Sequence, residues 1–180
     1  AILPADRALV LDAGAFIGFA SRYLSVSHPS RFTFCLDFAA IGLGHGTALG
    51  TALARPDITT VLCIGDGGLL MTLGELETAV RRQSPLVVIV LDDGAYGAER
   101  HYLDLMGIDH AESQFGQVPF ARLADTLGMP STTVRTPDDL AAVRSLLAEG
   151  RRPVLIDCKI NGAVRPAWLE ELFTGSGFGR

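Results

Sequence analysis

A doubly wound, mainly parallel α/β sheet with helices on both faces is the fold class this sequence predicts, from three observations. Short apolar runs rich in branched residues recur along the chain, and helix-length segments separate them. Several of those segments open on helix start signals. One run, Leu86-Val87-Val88-Ile89-Val90-Leu91, has no polar alternation at all, as expected of a strand covered on both faces in a parallel sheet.

Taken in order, Leu3-Pro4-Ala5-Asp6 reads as a linker, and the chain opens at Ala1 without a Met, so a piece of something longer is expected. At 180 residues the chain has the size of one domain, with residues 1–6 as its linker. Ala8 to Leu11 is the first strand, followed by an apolar stripe of Phe16, Phe19, Ala20 and Tyr23 at helical spacing. Thr60 to Ile64 is the second strand. Thr72 with Glu75 three residues later suggests a capping box, after which Leu73, Leu76 and Val80 share one helical face. Leu86 to Leu91 and Thr132 to Val134 are further strands. Thr136-Pro137-Asp138-Asp139 predicts another helix start, with a Thr cap, Pro at the first position and acids beside the positive end of the dipole. Val154 to Cys158 is the last strand, and the Gly-rich stretch 175–180 reads as a loose tail.

Composition narrows the function classes. Fifteen basic against 20 acidic residues give a net charge of −5, with no run of Lys or Arg, which argues against nucleic-acid or anionic-membrane partners. The apolar stretch Ala8 to Ala20 is interrupted by Asp12, lacks a basic lead and is too short to span a bilayer. Cys35, Cys63 and Cys158 are widely spaced in apolar surroundings, fitting buried thiols in a reducing cytoplasm rather than a disulfide framework or a CxxC metal site.

In open α/β sheets ligands bind where loops leave the carboxyl ends of strands. Gly65-Asp66-Gly67-Gly68 follows one strand directly and Asp92-Asp93-Gly94 follows another, with one crossover helix between. In a right-handed βαβ unit both loops open on the same sheet edge and their carboxylates can converge. That suits Mg2+, which takes few protein oxygens and completes its shell with phosphate and water. Gly67 and Gly68 would let backbone N–H groups approach a phosphate. Either motif alone is equally an ordinary turn with acids facing water.

Together the two motifs are more specific. With 24 residues between Gly67 and Asp92, the pair resembles the signature of thiamine diphosphate-dependent enzymes, Gly-Asp-Gly followed by two Asn-like residues. Leu11-Asp12-Ala13-Gly14, Ala39-Ala40-Ile41-Gly42-Leu43-Gly44, Gly65 to Ala79 and Leu91 to Arg100 fall in family order. The likeness covers roughly residues 6 to 160 and is nearest the acetolactate synthase, benzoylformate decarboxylase and pyruvate decarboxylase branch.

The resemblance implies thiamine diphosphate and Mg2+ as cofactors, with Asp66, the Asp93 side chain and the Ala95 carbonyl as metal ligands. It implies that Gly67, Gly68 and the segment Tyr96, Gly97 and Ala98 offer N–H groups to the diphosphate. Ala13, Gly14 and Ala15 would line its other side, Ile41 would prop the cofactor into its bent form, and the Ala39 backbone would face the aminopyrimidine. The family most often has Asn where this chain has Asp92 and Asp93. A second carboxylate attracts the cation but repels the diphosphate, which puts metal affinity in question.

The glycines at 42, 44 and 46 are spaced GxGxG, so the dinucleotide fingerprint is absent. His45, His101 and His110 are read as surface or satisfied histidines, with His101 the best candidate to reach a substrate. Glu99 and Arg100 are expected to form a local solvated pair.

The implied activity is decarboxylation or carboligation of a 2-oxo acid. The family's activating glutamate sits on a separate pyrimidine-binding domain, which nothing in this chain resembles. Association with a pyrimidine-binding domain or subunit, and self-association, are therefore expected. Two other readings stand beside this one: a natural small subunit of a two-chain 2-oxo acid decarboxylase of the sulfopyruvate or phosphonopyruvate type, and a non-catalytic binding module that retains the fold.

Overall fold

A computed structural model of the chain describes residues 2–150 and 152–175. The strands are β1 (Arg7–Leu11), β2 (Phe32–Phe34), β3 (Thr59–Gly65), β4 (Leu86–Asp92), β5 (Ser131–Val134) and β6 (Val154–Lys159). They form one sheet in the order β2-β1-β3-β4-β6-β5, and every neighbouring pair is parallel. The predicted fold class is the observed one, and the five predicted strands each extend by one or two residues. The edge strand β2 was not anticipated. Its Phe32-Thr33-Phe34 is short and its side chains are exposed, so burial left no mark on the sequence.

The helices are α1 (Ile17–Tyr23), α2 (Leu43–Ala54), α3 (Asp66–Met71), α4 (Glu75–Arg81), α5 (Gly97–Leu105), α6 (Phe120–Thr126), α7 (Leu140–Ala148) and α8 (Ala167–Thr174). On one face of the sheet, Val10, Leu62, Val88 and Leu155 pack against Ala48 of α2, Leu69 of α3, Leu76 of α4 and Phe120 of α6. On the other, Leu9, Leu11, Val61 and Ile156 meet Val143 and Leu146 of α7. Burial on both faces explains why the strand runs show no alternation. No described helix is long and apolar enough to cross a membrane.

Two local expectations need correcting. Thr72 does not cap α4: its hydroxyl donates back to the Gly68 carbonyl at 3.1 Å, and its own carbonyl accepts from Glu75. Thr72 thus closes α3, and the chain turns before restarting. The stripe of α1 also differs, since Phe16 is buried while Phe19 and Tyr23 are 46% and 74% exposed. By contrast, the start at Thr136 forms as expected, with the Asp139 carboxylate accepting the Thr136 N–H at 2.8 Å. Of the Gly-rich tail, residues 176–180 lie outside the described residues.

The topology decides where a ligand can sit. From β1 the chain crosses to β2 on one side, whereas β3 and β4 follow on the other, so the order reverses between β1 and β3. Their carboxyl ends therefore flank a crevice that no crossover covers.

Candidate functional site

That crevice is a cavity of about 310 Å³. The loop after β1 supplies Ala13, Gly14 and Ala15, the segment before α2 supplies Ala39 and Ile41, and the turn from β3 into α3 supplies Asp66, Gly67 and Gly68. The loop after β4 adds Asp93, Ala95, Tyr96, Gly97 and Ala98. All thirteen residues named from sequence for cofactor and metal thus line one cavity. Phe16 and Leu91 close its floor, and Ile160, Trp168, Leu169 and Leu172 form a wall from the C-terminal segment that sequence reading did not assign to the site. A tryptophan and two leucines at helical spacing were its visible signal.

Asp66 is buried in the first turn of α3. One of its oxygens accepts from the N–H groups of Gly94 at 2.8 Å and Ala95 at 3.2 Å, and the other accepts from Gly67 at 3.0 Å. The two carboxylate-bearing loops are therefore tied to each other directly. Burial, then the charges of Asp93 and Asp92, push the Asp66 carboxyl up to about 7. Burial also raises Asp93, against the offsetting Arg100 guanidinium.

The glycines have a packing role beyond the one expected. A Cβ on Gly67 would stand 2.5 Å from the Tyr96 ring, and one on Gly68 would stand 2.5 Å from Asp12 Oδ2. Asp12 was given no role from sequence, although an acid at a strand end before Ala13-Gly14 was a usable sign. It is fully buried and its carboxylate accepts the Gly42 N–H at 2.7 Å and the Gly44 N–H at 2.9 Å. It therefore fixes the approach to α2 on which Ile41 stands. Beside it, Phe38 and Ala39 hold left-handed backbone angles (φ 58° and 53°), which non-glycine residues adopt at a cost and which cluster at ligand sites.

Tyr96 also departs from expectation. Its N–H donates to the Ser113 carbonyl at 2.8 Å, so it is already spent and the ring, stacked edge-on against Phe115, is what faces the cavity. The N–H groups of Gly97 and Ala98, in the opening turn of α5, have no partner within that helix and are the donors an anion could use.

Arg100 does not pair with Glu99 as expected. Its Nη2 lies 3.1 Å from Asp93 Oδ2 and also donates to the Gly162 carbonyl, with both ionic side chains nine-tenths or nearly so buried. Asp92 is matched in the same way, since the Lys159 ammonium bonds it and lies 2.9 Å from Asp157 Oδ1. Each acid of the Asp92-Asp93 step therefore has its own cation, neither of which sequence spacing revealed.

His101 is buried on α5 and is not among the cavity's lining residues. His45 is fully buried, with Nδ1 at 3.2 Å from the Thr72 hydroxyl, and burial lowers its basicity. His110 is hydrogen-bonded to Gln114 at 3.1 Å. None of the three is among the cavity's lining residues, and the buried Nε2 of His45 has no hydrogen-bond partner among the described residues. Cys35, Cys63 and Cys158 are free thiols, and burial pushes Cys63 and Cys158 up to about 12.

Among the described residues, no three His, Cys, Asp or Glu side chains form a ready-made cation cluster. The donor set present is two carboxylates and a backbone carbonyl around a negatively charged crevice. It fits a hard cation that completes its shell from a phosphate ligand and water, and not one needing an all-protein cage.

Comparison with known proteins agrees with the geometry. Residues 12–158 match the family described as thiamine pyrophosphate enzyme, C-terminal TPP binding domain. The chain is 31% identical over 157 residues to acetolactate synthase of Bacillus subtilis, covering 83% of this chain and 26% of that protein. It is 28% identical over 160 residues to the acetolactate synthase isozyme 2 large subunit of Escherichia coli, covering 88% and 29%. Among solved structures, the thiamine diphosphate-dependent 4-hydroxybenzoylformate decarboxylase of Rhodococcus jostii superposes with a TM-score of 0.79 at 28% identity, over 89% of this chain and 30% of that one. The chain spans under a third of the length of each of these relatives.

Proposed function

The chain belongs to the thiamine pyrophosphate enzymes, as their C-terminal TPP-binding domain, and from that membership we propose that it holds the diphosphate of thiamine diphosphate through Mg2+ in the crevice between β1 and β3. The observation that carries this reading is the meeting of all thirteen sequence-named residues around one cavity at the point where strand order reverses. Asp66, Asp93 and the Ala95 carbonyl would hold the cation. Gly97 and Ala98, with Gly68, would offer N–H groups to the diphosphate, Gly67, whose own N–H is taken by Asp66, would only let it approach closely, and Ile41 would support the bent cofactor from the opposite wall.

Electrostatics supports a cation here. Three carboxylates, Asp66, Asp92 and Asp93, stand on two adjoining loops, and Asp66 is held up near 7 by burial and by its acidic neighbours. A divalent ion held by Asp66, Asp93 and the Ala95 carbonyl would relieve that repulsion and supply positive charge for a phosphate ligand. When bound, thiamine diphosphate supplies a nucleophilic carbon and an electron sink for cleaving the bond beside the keto group of a 2-oxo acid. The chain's own work is to position it: Asp12 braces the α2 approach behind Ile41, and Phe16, Ile160 and Leu169 exclude water from the wall.

The wider activity proposed is that of a 2-oxo acid decarboxylase or carboligase resembling acetolactate synthase, completed by a pyrimidine-binding domain or subunit that brings the activating carboxylate. The relatives' greater length supports this division. Exposed Phe34, Leu36 and Phe38 near the cavity rim suit such a neighbour or a second copy of the chain.

The test is Asp66→Ala in the full-length protein. Loss of magnesium-dependent thiamine diphosphate binding is expected, and an unchanged affinity would remove the metal assignment.

A further inference from the structure

Asp93 is held in a way that the cation-binding role alone does not require. Its Oδ2 lies 3.1 Å from Arg100 Nη2, and the same oxygen sits where a Cβ on Gly97 would come within 2.4 Å. The carboxylate is thus clasped between the glycine that opens α5 and the guanidinium one turn further on. Arg100 is itself held by the loop after β6, where the same Nη2 donates to the Gly162 carbonyl and a Cβ on Gly162 would press to 2.6 Å of Nη1. Side chains of Arg100 and Asp93 are 14% and 10% exposed, so neither reorients freely.

We propose that Arg100 is a positioning residue for the cation and diphosphate site: it engages one oxygen of Asp93, turns the other toward the cavity, and offsets the charge that this second carboxylate would otherwise set against the diphosphate. The inference rests on the reading given under Proposed function. Two features favour it over a purely structural pair. Asp93 lines the cavity while Arg100 does not, so the guanidinium meets the carboxylate from behind the wall and leaves its cavity-facing side to a ligand. In addition, the same Nη2 reaches both the Asp93 carboxylate and the Gly162 carbonyl, so one guanidinium nitrogen ties the loop after β4 to the loop after β6.

The dependence on charge gives a test that fold stability alone does not imitate. In the full-length protein, Arg100→Gln is expected to weaken magnesium-dependent thiamine diphosphate binding by about tenfold or more, because an uncompensated Asp93 then faces the phosphates. Arg100→Gln with Asp93→Asn removes both charges and is expected to recover most of that loss and to bind about as tightly as Asp93→Asn alone, since Arg100 matters only while the Asp93 charge is present. Arg100→Lys should fall between. Calorimetry gives the affinities, and thermal denaturation without ligand reports whether each variant folds.

Recovery in the double variant supports the inference. Equal affinity in Arg100→Gln and the unsubstituted protein overturns it, as does a loss that Asp93→Asn leaves uncorrected in a folded protein. Absence of binding in the unsubstituted protein overturns the site assignment itself, an outcome distinct from both.

Discussion

The Asp66 carboxylate accepts the Gly94 N–H at 2.8 Å across 28 residues of sequence, joining the loop after β3 to the loop after β4. The cation site proposed here is therefore a bridge between two strand ends that the fold already holds in register. Asp66→Asn should keep part of this link through its amide oxygen while removing the charge. It is expected to retain most of its thermal stability and to lose magnesium affinity by at least tenfold in titration.

Acidity follows from the same group. The folded-state value of Asp66 is about 7 against an ordinary 3.8. Between those values the native state keeps a proton that the unfolded chain has released. Stability from this group is thus full below about pH 4 and lost as pH rises through about 7. Without divalent ions, thermal midpoints should fall across that window, and Asp66→Asn should flatten the profile. With Mg2+ present the trend should weaken or reverse, since the cation binds the ionised form.

Lys159 is the sole cation within bonding reach of both Asp92 and Asp157 in the described structure, and both acids are fully buried. Lys159→Met would strand two carboxylates, a change that costs about 3–5 kcal/mol for a buried pair. Chemical denaturation should register it, and Asp92→Asn added to Lys159→Met should restore part of the loss.

Two glycine substitutions should act in opposite directions. Gly68→Ala drives a methyl to 2.5 Å of Asp12 Oδ2, an oxygen held by the Gly42 N–H, so overpacking should cost about 1–3 kcal/mol and weaken cofactor binding. Gly50→Ala sits in α2 with open space around the new Cβ and should stabilise by about 0.5–1 kcal/mol. Denaturant midpoints of the two variants would check both.

Ile41→Ala removes an apolar side chain from the cavity wall while leaving the carboxylate and N–H groups in place. Turnover of the complete enzyme should fall more than cofactor affinity does. The reverse pattern would argue against its supporting role.

Much of this was legible in the sequence because burial writes itself into composition. Leu86 to Leu91 announces a doubly covered strand, and Gly-Asp-Gly and Asp-Asp-Gly announce the strand ends that border the cavity. The edge strand at Phe32 escaped notice because its side chains face solvent and no pattern distinguishes them. Partnerships across the fold were the other gap. Arg100 stands next to Glu99 in sequence, yet the turn of α5 sends it to Asp93, and Lys159 finds Asp92 across 67 residues because β4 and β6 are neighbours. Spacing in one dimension carries no sign of either. The stripe of α1 misled in the opposite sense: helical spacing marks an apolar face but does not say whether that face meets this chain's own core.

The most direct measurement is a calorimetric titration of the full-length protein with thiamine diphosphate, with and without Mg2+, and with ATP as a control ligand. Binding that requires Mg2+ and favours thiamine diphosphate over ATP is expected. Binding that ignores the cation, or that accepts ATP equally well, would contradict the proposed site.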